Sequence, residues 1–279
     1  MKTYSSSGKA AEAVSIPCPL CGDVPSTPRF HVEDARFVEC SRCTLVYQNP
    51  QPLFSDLQGR YRNQYFQYEF SNEENFFNLM LLGMRDIGYT DAFLSAWEDK
   101  TFCDIGCATG RLLEHMKHLG FHVEGVELCP ESAEYGINKR GVNINIGTLE
   151  DTKLPDNSFS IIHFSHLIEH VSDPVVFLLE VRRILKPGGR VIITTPNIAG
   201  FQAKLFREKW RSAIRDHLFL FSKKTLSTLL VRLGFHIVTV KTWGGLAVGT
   251  APRWIKRPVD RLAKKWGFGD VMLFLAEKK

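Results

Sequence analysis

The chain has 279 residues, of which 44% are hydrophobic and 23% charged, and its formal net charge is +5. This balance excludes a fibrous or intrinsically disordered protein and is typical of a globular one. No apolar run approaches the roughly 20 residues that a membrane-spanning helix needs. Residues Met1–Lys9 are polar and serine-rich, so we expect no secretory signal, a disordered tail over residues 1–13 and a cytoplasmic protein.

Four cysteines near the start of the chain form two close pairs. Cys18 and Cys21, with Cys40 and Cys43, follow the pattern C-x2-C-x18-C-x2-C, which is typical of a four-thiolate zinc ribbon. Disulfides and a redox pair are disfavoured, because the cytosol is reducing and no helix is predicted that would lower a thiol pKa. We predict a ribbon over residues 14–50 that holds a structural zinc ion, whose loss would unfold the ribbon and leave the cofactor site of the core largely intact.

Residues 51–98 are predicted to form a mainly helical connector that covers the cofactor site described below. Its aromatic residues are too dense for a solvated linker: Tyr61, Tyr65, Phe66, Tyr68, Phe70, Phe76 and Phe77. Aromatic residues at helical spacing usually pack against a core. Tyr61 and Tyr65 are alternatively placed to cover a cofactor or acceptor pocket, and Tyr65 is a candidate substrate contact.

Strands and helices alternate over residues 99–279, which favours an α/β fold with a parallel sheet covered on both faces. Helices are predicted to begin near Thr109, Pro130 and Pro174, and Asp173 suits an N-cap. The predicted strands are Thr101–Ile105, Phe121–Val126, Val142–Ile146, Ser158–Phe164, Gly189–Thr195, His236–Trp243 and Val271–Glu277.

The turn after the first of these strands, Cys103–Gly110, is rich in small residues. Glycine lets the backbone turn tightly and approach a ligand at the helix N-terminus. Glu127 ends the second strand, where a carboxylate can accept both hydroxyl protons of a ribose, so an adenosine is implied. A dinucleotide is disfavoured, because Ala108 and Arg111 stand where its fingerprint needs glycine and Asp104 would repel phosphates.

Together with the blocks at 154–159 and 185–189, these motifs resemble the class I S-adenosylmethionine-dependent methyltransferases over nearly the whole chain. The resemblance implies a Rossmann-like sheet of seven strands, the last two antiparallel, preceded here by the ribbon. It also implies that Asp104 faces the cationic methionine end of the cofactor. Thr148 stands where the family usually has aspartate, and its hydroxyl can still bond the adenine. The implied cofactor-binding residues are Asp104, Gly106, Cys107, Ala108, Gly110, Glu127, Leu128, Thr148, Leu149 and Ser165.

The segment 164–170 is similar to the block that lies beside the transferred methyl group in relatives. His166 and His170 share a face if this turn is helical, and either could act as general base for a hydroxyl or an activated carbon. The alternative for His170 is a buried residue that bonds a loop. Glu169 is expected to point outward or to tie down the loop. Its spacing with the histidines matches no standard ligand set, so no catalytic metal is predicted.

Two later segments are candidates for acceptor recognition. The long insert 196–221 contains Trp210 and His217 among aromatic residues, which suits either a pocket wall or the packing of a lid helix. The segment 253–266 carries six cations and one acid. Its apolar residues have helical spacing, which favours either a helix docked on the core or contact with an anionic membrane or a phosphorylated substrate.

The leading functional hypothesis is methyl transfer from S-adenosylmethionine to oxygen or carbon of a small-molecule acceptor, such as a sugar-nucleotide, lipid-linked or secondary-metabolite precursor. The alternative is an RNA methyltransferase that grips RNA with the ribbon and the basic segment. Modest charge makes nucleic acid the weaker partner, as does the lack of the Asn/Asp-Pro-Pro-Tyr block that relatives use on flat nitrogen acceptors. A catalytically silent binding module is disfavoured by the intact Asp104, Gly106, Gly110 and Glu127.

Overall fold

A computed structural model describes residues 13–53, 63–244, 263 and 266–279. Residues 1–12 of the predicted tail, Tyr61 and the cations of segment 253–266 lie outside these residues, whereas Ala13, the last residue of the predicted tail, lies in a short strand. No helix within the described ranges is long and apolar enough to cross a membrane.

The ribbon at the start of the chain consists of short antiparallel strands. Strand β2 pairs with β3, which pairs with β4, and β1 pairs separately with β5. The strands are β1 (Ala13–Val14), β2 (Ser26–Val32), β3 (Ala35–Cys40), β4 (Val46–Gln48) and β5 (Gln51–Pro52). Two helices follow, α1 (Asn63–Asp86) and α2 (Asp91–Ser95).

The main sheet has seven strands in the order β12-β13-β10-β9-β6-β7-β8. β10, β9, β6, β7 and β8 pair in parallel, whereas β13 is antiparallel to both of its neighbours. The strands are β6 (Thr101–Ile105), β7 (His122–Glu127), β8 (Asn143–Ile146), β9 (Phe159–Ser165), β10 (Leu185–Pro196), β12 (Phe235–Trp243) and β13 (Val271–Lys278). The predicted fold class is therefore confirmed.

Helices cover both faces of the sheet. Successive residues of a buried strand point to opposite sides, so each face presents apolar side chains that pack against helices. In β9, Ile161 packs with α1 and α3, whereas Ile162 packs with α6 and α8. Asp173 caps α6 as predicted, accepting the backbone N–H groups of Val175 at 2.8 Å and Val176 at 3.1 Å. The helices are α3 (Arg111–His118), α4 (Pro130–Tyr135), α5 (Leu149–Thr152), α6 (Pro174–Ile184), α7 (Phe201–Phe206) and α8 (Lys223–Arg232), with a π-helical turn at Gly136–Arg140 and a 3-10 turn at Arg207–Lys209.

The ribbon is joined to the long insert, residues 196–221, by strand pairing. The two-residue strand β11 (Phe219–Leu220) lies in the long insert and pairs antiparallel with β4, so that Phe219 is opposite Tyr47. Buried ribbon side chains such as Leu45 belong to the same apolar cluster as α6 and α8. The guanidinium of Arg232 on α8 also donates a hydrogen bond to the Leu20 carbonyl. The ribbon therefore packs on the face of the sheet that α6 and α8 cover.

Candidate active site

The turn between β6 and α3 lies at the carboxyl edge of the sheet and has a left-handed backbone at three residues. The φ values are +71° at Gly106, +46° at Ala108 and +73° at Gly110. A Cβ on Gly106 would lie 3.3 Å from the Leu167 side chain, and one on Gly110 would lie 3.0 Å from Val142. Glycine at the two outer positions therefore permits both the turn and its close packing.

Glu127 ends β7 beside this turn, and its side chain is only 4% exposed. Its Oε2 accepts the backbone N–H of Ala108 and its Oε1 that of Cys129, both at 2.8 Å. Burial raises the pKa of Glu127, and these backbone hydrogen bonds oppose the rise. Each carboxylate oxygen has a further lone pair, so the group can still accept hydroxyl protons from a ligand.

Asp104 lies on β6, the strand next to the one that ends at Glu127. It has a hydrogen-bond partner that the sequence did not indicate. His163 on β9 is directly opposite Asp104 across the parallel pair, and its Nδ1 lies 2.7 Å from Asp104 Oδ1 with both side chains buried. His163 thereby orients one carboxylate oxygen of Asp104. Only the strand register brings the two together, since they are far apart in sequence.

Thr148 uses its side chain locally. It caps α5 by accepting the Asp151 N–H at 3.3 Å and donating its hydroxyl to Asp151 Oδ2 at 2.7 Å. The Thr148 hydroxyl, followed by the Thr148 backbone N–H, donates to Asp151 Oδ2 and lowers the pKa of Asp151. The hydroxyl expected to bond the adenine therefore already has a partner. Three other predicted cofactor contacts lie at the ends of neighbouring strands: half-buried Leu128 and Ser165, and buried Leu149.

Helix α1 lies over the turn and contributes acidic residues. Glu73 accepts the Thr109 hydroxyl and pairs with Arg140 at 2.6 Å, and Glu74 pairs with Arg111 at 2.9 Å. Glu69, one turn earlier on α1, faces Glu127 and His166; burial first, and then repulsion by Glu127, raise its pKa to about 7. Tyr65 precedes Glu69 by four residues and therefore lies on the same side of α1. The acidic contacts of α1 were missed, because these residues look like an ordinary solvated helix face.

The segment after β9 forms a turn that brings His166 and Glu169 together. Nδ1 of His166 lies 3.2 Å from Oε1 of Glu169, and their side chains are 50% and 0% exposed. Thr195 donates its hydroxyl to Glu169 Oε2 at 2.8 Å. Burial raises the pKa of Glu169, but hydrogen bonding and attraction from His166, followed by the other two histidines nearby, bring it down to about 2. Glu169 thus points inward, which contradicts an outward orientation and agrees with the other predicted role, tying down the loop.

His170 and His217 meet on the inner side of this turn. Their rings lie 4.6 Å apart, edge to face. Nδ1 of His170 donates to the Asp216 carbonyl at 2.9 Å, and Nδ1 of His217 donates to the Ser212 carbonyl at 2.8 Å. Burial lowers the pKa of both, that of His217 to about 4. The predicted substrate contact His217 therefore joins the predicted catalytic His170, whereas Trp210 is 2% exposed and packs inside a separate apolar cluster.

The four predicted metal ligands converge in the ribbon. Cys18 Sγ lies 3.4 Å from Cys43 Sγ, and Cys21 Sγ lies 3.5 Å from Cys40 Sγ, which is longer than a disulfide bond. All four sulfur atoms lie within 4.8 Å of one another. Tetrahedral zinc with Zn–S bonds of about 2.3 Å holds its sulfur ligands about 3.8 Å apart. Backbone N–H groups also donate to Cys18 and Cys40, so the donor set fits zinc.

Two clefts of about 300 and 470 Å³ lie at the opposite edge of the sheet. The first includes Thr101 and His122, which begin β6 and β7, and the second includes Ser160 and Lys186 near the starts of β9 and β10. Neither cleft contains any residue of the turn, the histidine cluster or the ribbon described above. Ligands of open parallel sheets bind at the carboxyl ends of the strands, so these clefts are poor candidates for the active site.

Comparison with known proteins agrees with this geometry. A family model described as a methyltransferase domain matches residues 88–240. The chain is 34% identical over 99 residues to a ubiquinone biosynthesis O-methyltransferase of Cereibacter sphaeroides, which covers 34% of this chain and 40% of the relative. It is 28% identical over 170 residues to an uncharacterised protein of Methanocaldococcus jannaschii, which covers 60% of this chain and 76% of that protein.

A crystal structure of an S-adenosylmethionine-dependent methyltransferase from Archaeoglobus fulgidus has the same fold. Its TM-score is 0.54 at 20% identity, covering 77% of this chain and 99% of that one. The chain spans only about two fifths of the length of the curated O-methyltransferases that it matches. The family match nevertheless extends over more than half of the chain, and the chain belongs to the class I S-adenosylmethionine-dependent methyltransferases.

Proposed function

We propose that this methyltransferase acts on an oxygen, or an activated carbon, of a small-molecule acceptor. The observation that carries the proposal is the pairing of half-exposed His166 with fully buried Glu169 immediately after β9. A histidine held by a carboxylate can accept the proton that a hydroxyl or carbon acid loses. The similarity to O-methyltransferases of ubiquinone biosynthesis supports an acceptor of this kind.

Residues at the carboxyl edge suit S-adenosylmethionine, which supplies an electrophilic methyl group when bound. Glu127 would accept the ribose hydroxyl protons, and Asp104 would face the cationic methionine end. The left-handed backbone of Gly106 and Gly110 forms a tight turn that would bring the backbone close to a ligand. Helix α1 would exclude water from the same place, because Glu73 and Glu74 tie it to Thr109, Arg111 and Arg140.

His166 and His170, which belong to the same turn, would have different roles. His166 is half exposed and oriented by Glu169, so it suits the role of general base. His170 instead donates to the Asp216 carbonyl and contacts His217, an arrangement that suits a positioning role. The four-cysteine site would hold a structural zinc ion, since four thiolates leave no position for an acceptor. Contact of segment 253–266 with a membrane or a phosphorylated acceptor stays a prediction.

The test is transfer of a labelled methyl group to a panel of phenols, alcohols and carbon acids, with total RNA as the competing acceptor. We expect label in a small molecule. His166→Ala should lower turnover about 10²–10⁴-fold while leaving affinity for S-adenosylhomocysteine nearly unchanged. His118→Ala, which removes an exposed histidine on α3, is the matched control. Label found only in RNA, or full turnover by His166→Ala, would contradict the proposal.

A further inference from the structure

Three potential metal ligands from two distant segments meet beside the turn after β9. Glu169 and His170 belong to that turn, and His217 comes from the insert just before β11. One ligand atom from each of the three lies within 4.8 Å of the others. The sequence pointed away from a metal because it offered only the spacing of His166, Glu169 and His170. The third ligand, His217, lies about fifty residues later and is brought in by the pairing of β11 with the ribbon.

Both histidines are held in the tautomer that a metal ligand needs. A carbonyl oxygen can only accept, so the hydrogen bonds to Asp216 and Ser212 place the ring hydrogens of His170 and His217 on Nδ1. Each neutral ring then carries its lone pair on Nε2. A metal-binding histidine typically donates its other N–H group to a backbone carbonyl or carboxylate, which fixes the ring orientation.

Glu169 supplies the negative charge and is equally constrained. Its side chain is fully buried, and the Thr195 hydroxyl fixes Oε2 at 2.8 Å. Oε1 faces Nδ1 of His166 at 3.2 Å, and its remaining lone pair can bind a cation. A buried carboxylate is costly unless a cation or several hydrogen bonds compensate its charge. A metal ion between Oε1 and the two imidazoles would provide that compensation.

We propose that Glu169, His170 and His217 bind a divalent transition-metal ion. Two imidazoles and one carboxylate are a ligand set used for Fe²⁺, Mn²⁺, Co²⁺ and Zn²⁺, and three protein ligands leave coordination positions open. Bonds of about 2.0–2.2 Å to one ion would hold the ligand atoms roughly 3.0–3.6 Å apart, and the three atoms lie within 4.8 Å of one another here. An ion here would polarise an acceptor hydroxyl next to His166. That consequence rests on the proposed function, whereas binding of the ion does not.

The test is a Co²⁺ titration of the full-length chain followed by absorption spectroscopy. Cobalt bound by four thiolates gives intense sulfur charge-transfer bands, whereas a nitrogen and oxygen site gives only weak ligand-field bands, so the two sites are distinguishable. We expect the parent protein to bind a second ion with no sulfur bands. His217→Ala should lose this ion, and His236→Ala, which removes an exposed histidine on β12, should retain it.

Two results would overturn the proposal. One is a parent protein that shows only the thiolate signal at Co²⁺ concentrations up to about 1 mM, which corresponds to negligible affinity. The other is a folded His217→Ala variant that retains the second ion. Thermal unfolding monitors folding of the variant, and the parent titration decides the question if the variant does not fold. Neither measurement uses methyl transfer, so an unidentified acceptor cannot cause a false negative.

Discussion

At the residue scale, the buried carboxylates Asp104 and Glu127 end neighbouring strands but differ in their partners. Asp104 bonds the side chain of His163, whereas the hydrogen-bond partners of Glu127 among the described residues are backbone N–H groups. Backbone donors fix the position of a carboxylate without satisfying all its lone pairs. Both carboxylates are thus fixed by the protein and keep lone pairs for a ligand, which the proposed binding mode uses for the ribose hydroxyls at Glu127 and for the methionine end at Asp104.

Replacing Glu127 should weaken cofactor binding without unfolding the protein. We expect Glu127→Ala to reduce affinity for S-adenosylmethionine and S-adenosylhomocysteine by about 1.5–3 kcal/mol, the scale of hydrogen bonds to a charged group. Calorimetry measures both ligands. Glu98→Ala removes an exposed glutamate at the opposite edge of the sheet and should bind like the parent. Unchanged affinity in Glu127→Ala would assign the ribose hydroxyls to another residue.

Ala108 carries backbone strain at the centre of the cofactor turn. Its φ of +46° lies in the left-handed region, where a Cβ costs about 1 kcal/mol or more relative to glycine. We expect Ala108→Gly to raise the free energy of unfolding by about 1 kcal/mol, because glycine adopts this conformation freely. Ala203→Gly in α7 makes the same chemical change at a helical position and should destabilise instead. Denaturant titrations measure the free energy of unfolding of both variants. A change of the same sign in the two variants would contradict the prediction.

At the element scale, α1 brings a titratable group to the cofactor site. The pKa of Glu69 rises from 4.5 to about 7, through burial and then repulsion by Glu127. A carboxyl group whose pKa is higher in the folded state costs no stability below pH 4.5, where it is protonated in both states. The cost grows between pH 4.5 and 7 and is complete above pH 7.

Glu69→Gln should remove this pH-dependent cost. We expect the variant to be more stable than the parent at pH 8 by about 1–3 kcal/mol, and the difference to shrink towards pH 4.5. Thermal unfolding of the cofactor-free proteins across this range measures it. Glu134→Gln, which changes an exposed glutamate on α4, should follow the parent at every pH. A constant difference between Glu69→Gln and the parent would exclude titration of Glu69 as the cause.

The elements that could be predicted from the sequence are those with a strong local pattern. Six of the seven main strands agree with the prediction to within one residue at each end, and β10 begins four residues early, at Leu185. Apolar strands and proline or aspartate helix starts are local signals. The contact of His163 with Asp104 depends instead on strand register. Strand β11 has only two residues, and its pairing with β4 is a tertiary contact that no local pattern reports.

At the scale of the whole molecule, the ribbon and the histidine cluster are neighbours along one hydrogen-bonded path. The N–H of Gln48 in the ribbon donates to the carbonyl of Leu218 in the long insert at 2.8 Å. The Leu218 N–H in turn donates to the Glu169 carbonyl at 2.7 Å. The proposed cofactor contacts Gly106, in the turn after β6, and Glu127, at the end of β7, have no part in this path. The ribbon thus supports the acceptor side of the site more directly than the cofactor side.

Disruption of the proposed four-cysteine zinc site should therefore impair catalysis more than cofactor binding. We expect Cys21→Ser to weaken the four-thiolate site, to loosen β4 and β11, and to displace His217 and Glu169. Turnover with an acceptor from the labelling screen should fall about tenfold or more, against a change of under 1 kcal/mol in S-adenosylhomocysteine affinity, which corresponds to less than tenfold. Ser41→Ala, an exposed change between Cys40 and Cys43 of the same four-cysteine site, is the control. A variant chain is preferable to a chelator, because a chelator would also strip an ion bound by Glu169, His170 and His217.

Two other outcomes would contradict this prediction. Equal losses of turnover and affinity would mean that the ribbon stabilises the fold as a whole. An unaffected turnover would mean that β11 holds its place through the apolar cluster without the metal.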